Sequence, residues 1–126
     1  MKPQPPQSHR QKLGNIGEQL AVSYLQKHGY HIIDRNFKAR YGELDIICEK
    51  DAVLIFVEVK TRIGEKFGKP EESVTPWKLR EVVKTAEFYK MTHDKLPEAL
   101  RIDVIAIQLN EENQTISFNH IKNVTL

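Results

Sequence analysis

Between Gly42 and Arg62 two apolar runs, Gly42-Glu43-Leu44-Asp45-Ile46-Ile47 and Phe56-Val57-Glu58-Val59-Lys60-Thr61-Arg62, flank a short polar turn and carry carboxylates and a lysine inside them. Runs this rich in β-branched and aromatic residues read as strands, and so short a connection can join them only as an antiparallel hairpin. Side chains alternate along a strand. One face of the pair is therefore Leu44, Ile46, Cys48, Val53, Ile55, Val57 and Val59, wholly apolar and bound to be buried. The other face combines Glu43, Asp45 and Ile47 with Leu54, Phe56, Glu58 and Lys60. A charge taken out of water without a partner is costly, so these charges must pair with one another or hold an ion.

A two-residue loop at Lys50-Asp51 would set Asp45 opposite Phe56 and Glu43 opposite Glu58, with Asp45 and Glu58 diagonal neighbours about 7 to 8 Å apart. Two carboxylates at that spacing can share a hard divalent cation such as Mg²⁺, which keeps water and substrate phosphate as its other ligands. Lys60, two residues past Glu58, points the same way and can orient a water or stabilise charge developing on a phosphate. The alternative is a half-exposed hairpin with ordinary cross-strand charge pairs. The apolar opposite face, and Leu54 and Phe56 beside the charges, weigh against it.

Gly14-Asn15-Ile16-Gly17-Glu18, Arg35-Asn36-Phe37, Gly42-Glu43-Leu44-Asp45, Phe56 to Arg62, Phe67-Gly68 and Arg101-Ile102-Asp103-Val104 together resemble the YraN-type family of small bacterial proteins. The resemblance covers nearly the whole chain after the first ten residues. That family is similar in fold to the PD-(D/E)xK nucleases, and most of all to Holliday junction resolvases. The resemblance implies a restriction endonuclease-like α/β domain with an αβββαβ core, its mixed sheet built on an antiparallel meander and flanked by helices. It makes Asp45 the motif aspartate, Glu58-Val59-Lys60 the (D/E)xK element and Glu18 an additional metal ligand, with Mg²⁺ or Mn²⁺ as the cofactor. Leu44 stands where the motif's proline would be, a departure that the superfamily tolerates.

Composition fits one domain. At 126 residues the chain can bury about two thirds of its unfolded surface without disulfides. The single cysteine, Cys48, reads as a small core residue in a reducing compartment. No apolar run approaches the roughly 18 residues of a membrane span and no secretory segment opens the chain, so a cytoplasmic protein is expected. Formal net charge is only +2, but setting aside the four negative charges of Glu18, Glu43, Asp45 and Glu58 leaves +6 elsewhere.

Residues 1–11, with three prolines, read as a disordered tail before a single domain over 12–126. From Lys12 to about His28, Leu13, Ile16, Leu20, Ala21, Tyr24 and Leu25 recur at helical spacing. Glu18 lies about 110° from the centre of that stripe, where periodicity alone favours solvent. Tyr30 to Asn36 reads as a strand. The loop from Thr61 to Val74 offers Arg62, Lys66 and Lys69 to phosphates, with Phe67 at its rim. Thr75-Pro76 is a helix start, threonine capping and proline in the first position. The helix runs to about Met91, expected to bury Trp77, Val82, Val83, Ala86 and Tyr89. Lys78 on it corresponds by resemblance to a lysine brought back toward the site, and is a further nucleic-acid contact. Leu100 to Ile107 reads as a strand parallel to the Phe56 to Arg62 strand, with Arg101 and Asp103 as a structural pair. A last strand is expected near Thr115 to Asn119. No two histidines have the spacing of a helical zinc site, and His28, His31, His93 and His120 read as surface or edge residues.

The expected activity is a metal-dependent DNA phosphodiesterase, an endonuclease on branched or structured DNA. Asp45, Glu58 and Lys60 would be its catalytic set, Glu18, Asp45 and Glu58 its metal ligands and Glu43 a supporting carboxylate. The alternative is a DNA-binding or partner-recruiting module that keeps the fold without hydrolysis. A homodimer is compatible with either.

Overall fold

The computed structural model describes residues 8–40, 42–64, 71 and 74–124. Helix α1 (His9–Lys27) begins three residues earlier than its apolar periodicity suggests. A reciprocal capping pair accounts for the extension: the Gln11 amide donates to Ser8 Oγ at 3.1 Å, and the Ser8 amide to Gln11 Oε1 at 2.9 Å. Strands β1 (His31–Ala39), β2 (Gly42–Lys50) and β3 (Val53–Ile63) form the antiparallel meander. Helix α2 (Pro76–Thr92), capped by Thr75, leads to β4 (Ala99–Leu109), which runs parallel to β3. Strand β5 (Thr115–Ile121) closes the far edge, so the sheet order is β1-β2-β3-β4-β5. The αβββαβ succession is the one expected, with β5 added antiparallel to β4.

The helices cover opposite faces of the sheet. Under α1 lie Ile46, Cys48, Ile55, Val57, Ile105 and Ile107, closed over by Ala21, Val22 and Leu25. Under α2 lie Ile47, Leu54, Phe56 and Ile102, met by Leu79, Val82, Ala86 and Tyr89 at helical spacing. The central strands are thus buried on both sides, which explains their nearly unbroken apolar runs. Helix α1 sits close to β3, because a Cβ on Gly17 would overlap the Thr61 hydroxyl. That closeness carries Glu18 down to the sheet.

The hairpin register differs from expectation by two residues. Lys50 pairs with Val53 and Ile47 with Phe56, so the turn is Asp51-Ala52 rather than Lys50-Asp51. Both turn residues have left-handed backbone, φ 52° and 62°, as a two-residue turn matched to strand twist requires. A slip of two preserves the faces. The charged residues therefore stay together while their partners change: Phe56 pairs with Ile47, not Asp45, and the ladder stops at Ile46–Val57, one residue short of Asp45 and Glu58.

Leu44 corrects the expected alternation. It packs under α2 with Ile47 instead of with Ile46 and Cys48. Asn36, in β1 between the residues that pair with Ile46 and Leu44, has φ 53°. That left-handed residue resets the alternation, and Phe37 and Leu44 both turn to the α2 side. Asp45 is left at the kink.

Candidate functional site

The β2–β3 ladder ends at Ile46–Val57, and from there the Asp45 side chain replaces it: the Val59 amide donates to Asp45 Oδ2 at 2.8 Å. Two strands thus part around a carboxylate. On the α2 side the opening is a 380 Å³ cavity lined by Asp45, Glu58, Lys60, Trp77, Lys78 and Glu81 among others. Toward α1 a second cavity, of 520 Å³, is lined by Asn15, Glu18, Asn36, Lys38, Glu43 and Asp45 among others. Asp45, Glu43 and Val59 line both.

Glu58 is buried, and its two oxygens differ. Oε1 faces Lys78 Nζ at 3.7 Å, whereas Oε2 has no hydrogen-bond partner among the described residues. Burial first, then the charge of Asp45, pushes the Glu58 carboxyl up to about 8, with Lys78 and Lys60 opposing. Burial raises Asp45 as well, against the pull of the Val59 amide and both lysines. Lys60 is shifted down, chiefly by burial and then by the neighbouring Lys78 charge. These are the signs of carboxylates and amines crowded into one poorly hydrated space.

Glu18 is buried on α1, and its pKa is raised by burial and by Asp45. Arg35 Nη2 stands 3.4 Å from its Oε1. Arg35 and Asn36 are site residues that spacing alone did not single out, although both stand in the Arg35-Asn36-Phe37 segment. Glu81 is a third, reaching the cavity from α2.

The expected residues thus separate into groups. Asp45, Glu58, Lys60 and Lys78 line one cavity, and Glu18 adjoins Asp45 across the other. Glu43 lines both with a largely exposed side chain, 4.0 Å from Lys38 Nζ. Arg62, at the end of β3, lines neither. Lys66, Lys69 and Phe67 lie outside the described residues, as do residues 1–7 of the expected tail. Trp77 was expected in the core, but its residue surface is 65% exposed and it stands at the cavity.

Hard divalent ions take oxygen ligands, and the unpartnered Glu58 Oε2 beside Asp45 fits one. Among the described residues, as their side chains are placed, no three His, Cys, Asp or Glu residues converge on a common ion position.

A different polar cluster lies on the α1 side of β4. Asp103 is fully buried and accepts from Arg101 Nε at 3.0 Å, Arg101 Nη2 at 3.3 Å, His120 Nε2 at 2.8 Å and the Asn123 amide at 3.0 Å. With Nε2 donating, His120 Nδ1 accepts from the Tyr24 hydroxyl at 3.0 Å. Arg101 also donates to the Tyr30 hydroxyl. The Arg101–Asp103 pair is structural, as expected. His120 is not a surface residue, since its side chain is only 5% exposed. Cys48 is buried and its thiol is pushed up to about 12 by burial, which suits an inert core position.

Fold and site together define a small α/β domain with a carboxylate–lysine cleft where two sheet strands separate. A profile of the uncharacterised protein family UPF0102 matches residues 17–107. A UPF0102 protein of Syntrophomonas wolfei is 46% identical over 112 residues, covering 89% of this chain and 96% of that protein. Those of Caldicellulosiruptor saccharolyticus and Clostridium perfringens are 40% and 38% identical, covering 91% and 90% of this chain and 98% and 93% of theirs. The chain belongs to the UPF0102, or YraN-type, family. No helix among the described residues is long and apolar enough to cross a membrane.

Proposed function

We propose that this chain is a metal-dependent phosphodiesterase acting on DNA in the cytoplasm, with branched or otherwise structured DNA as substrate. One observation carries the reading: a buried glutamate with an unpartnered oxygen, beside a second carboxylate and two lysines, in a cavity open to solvent. Asp45 and Glu58 would hold a Mg²⁺ or Mn²⁺ ion, with Glu18 reaching it from α1 through the second cavity. When bound, such an ion polarises the phosphate and acidifies the attacking water. The Val59 amide fixes the Asp45 carboxylate in place. Lys60 holds water or stabilises charge gathering on the phosphate oxygens. Lys78, 3.7 Å from Glu58 Oε1, opposes the upward push of burial on that carboxyl, and Glu43 would support the carboxylate cluster from the cavity mouth.

Calorimetric titration with Mg²⁺ and Mn²⁺, followed by cleavage assays on linear, flapped and four-way DNA with and without chelator, tests this reading. Binding near millimolar or tighter and chelator-sensitive cleavage are expected, with Glu58→Ala and Lys60→Ala each abolishing cleavage in folded protein. Activity retained in both variants would sink the mechanism. A second reading is a DNA-binding module without hydrolysis, since among the described residues no three acidic side chains converge on one ion position. It predicts salt-sensitive binding that needs no divalent ion and survives Asp45→Ala.

A further inference from the structure

We infer that Trp77 is a stacking platform for an unpaired nucleobase, so that the cleft takes nucleic acid with an unstacked nucleotide next to the reacting phosphate. The inference rests on the phosphodiesterase reading above and narrows its substrate. Trp77 is the second residue of α2, and it lines the same cavity as Asp45, Glu58, Lys60 and Lys78. The inner stripe of the helix, Leu79, Val82, Ala86 and Tyr89, is filled without it. On the helical wheel Trp77 lies about 160° from that stripe, at 100° per residue.

Leaving the largest apolar side chain 65% in water forgoes burial that would stabilise the fold. Its position makes sense if a flat aromatic partner covers it. Lys78 follows it in the chain and lines the same cavity, and Arg80 lies three residues on, so cations that can meet phosphates are close to it. Within an uninterrupted duplex both faces of each base are already stacked. An indole can therefore reach a base only at a single strand, flap, end or branch point.

A protein-docking role is the competing use. Phe88 and Met91 are also exposed on α2, but they border a separate cavity with Lys84 and Glu87. Phe88 is eleven residues on, about 16 Å along the helix. Only Trp77 of the three lines the charged cleft.

Trp77 is the sole tryptophan, so intrinsic fluorescence reports on it alone. The full chain, in chelator to prevent turnover and at low salt, is titrated with single-stranded oligothymidylate, with a strand of the same length made of abasic sites, and with a long blunt duplex. Free protein should emit at the long wavelength of a water-exposed indole. Oligothymidylate should quench that emission, and the abasic strand and duplex should leave it nearly unchanged. By anisotropy of a labelled oligonucleotide, Trp77→Ala should weaken single-strand binding roughly 5- to 150-fold, the range that loss of one base stack implies. Trp77→Phe should recover most of it. Circular dichroism checks that each variant is folded.

Equal quenching by duplex and single strand, or unchanged affinity in Trp77→Ala, overturns the inference while leaving the phosphodiesterase reading standing if Mg²⁺-dependent cleavage persists. Absence of all binding and cleavage removes both. A dimer that dissociates in Trp77→Ala, seen by sedimentation, assigns the residue to protein contact and overturns the inference too.

Discussion

Glu58 and Asp103 are both buried carboxylates on neighbouring strands of one sheet, and they sit in opposite chemical states. Asp103 is answered on every side, by Arg101, His120 and the Asn123 amide. Its carboxyl is held below the usual range because those hydrogen bonds and the Arg101 charge outweigh the penalty of burial. Glu58 has one distant lysine and an oxygen with no hydrogen-bond partner among the described residues, and burial carries its carboxyl up to about 8. A buried charge that is fully satisfied fixes a structure. One that is half satisfied stores a preference for something not yet bound.

Substitution gives the largest contrast. Asp103→Ala should cost about 3 to 5 kcal/mol, because Arg101 and His120 lose their common acceptor. In thermal melts this should lower Tm by more than about 10 °C. Glu58→Gln at pH 8 should instead leave stability within about 1 kcal/mol of wild type or raise it, since it removes a charge that the fold does not satisfy. Equal losses in the two variants would erase the distinction.

The pH dependence is the next test. Glu58 has a folded pKa of about 8 against an ordinary value of 4.5, so its contribution is fully present below pH 4.5 and is lost as pH rises through 8. Asp103 runs the other way: its contribution is present above pH 3.8 and is lost as pH falls through its depressed folded pKa. Wild-type Tm should therefore fall between pH 5 and 8.5, and Glu58→Gln should flatten that slope, with Asp45 responsible for any remainder. Below pH 4 both proteins should lose stability together. An unchanged slope in Glu58→Gln would mean that Glu58 is not the group responsible. The smallest effect concerns the edge of the satisfied network. Tyr24→Phe removes one hydrogen bond to His120 and should cost about 0.5 to 1.5 kcal/mol in urea unfolding.

Much of this is legible in the sequence. Alternation in the hairpin groups Asp45, Glu58 and Lys60, which line one cavity, because a two-residue slip in register does not change faces; Glu43 lines it too, from beyond the reset at Leu44. The slip itself was hidden, since Asp51-Ala52 lacks the asparagine or glycine that usually marks left-handed turn backbone. Leu44 was misplaced for a related reason. Its facing was reset by Asn36 on another strand, which no periodicity within β2 can reveal. The core position expected of Trp77 fails because the spacing of Leu79, Val82, Ala86 and Tyr89 excludes it from their stripe. His120 was invisible as a buried group because its partners, Tyr24 and Asp103, are 96 and 17 residues away. Glu18 shows the opposite failure, where local periodicity pointed to solvent and only the family resemblance pointed to the site.

The first segment of that resemblance holds, at Gly17, a residue with no side chain at all. Gly17 lets α1 rest against the Thr61 hydroxyl, and Glu18 is the next residue along. Helix and sheet are therefore spaced by the absence of a methyl group, and the same absence sets how far the Glu18 carboxylate stands from Asp45. A single carbon added at Gly17 would act as a shim, lifting one wall of the cleft while every charged side chain in it stayed chemically intact.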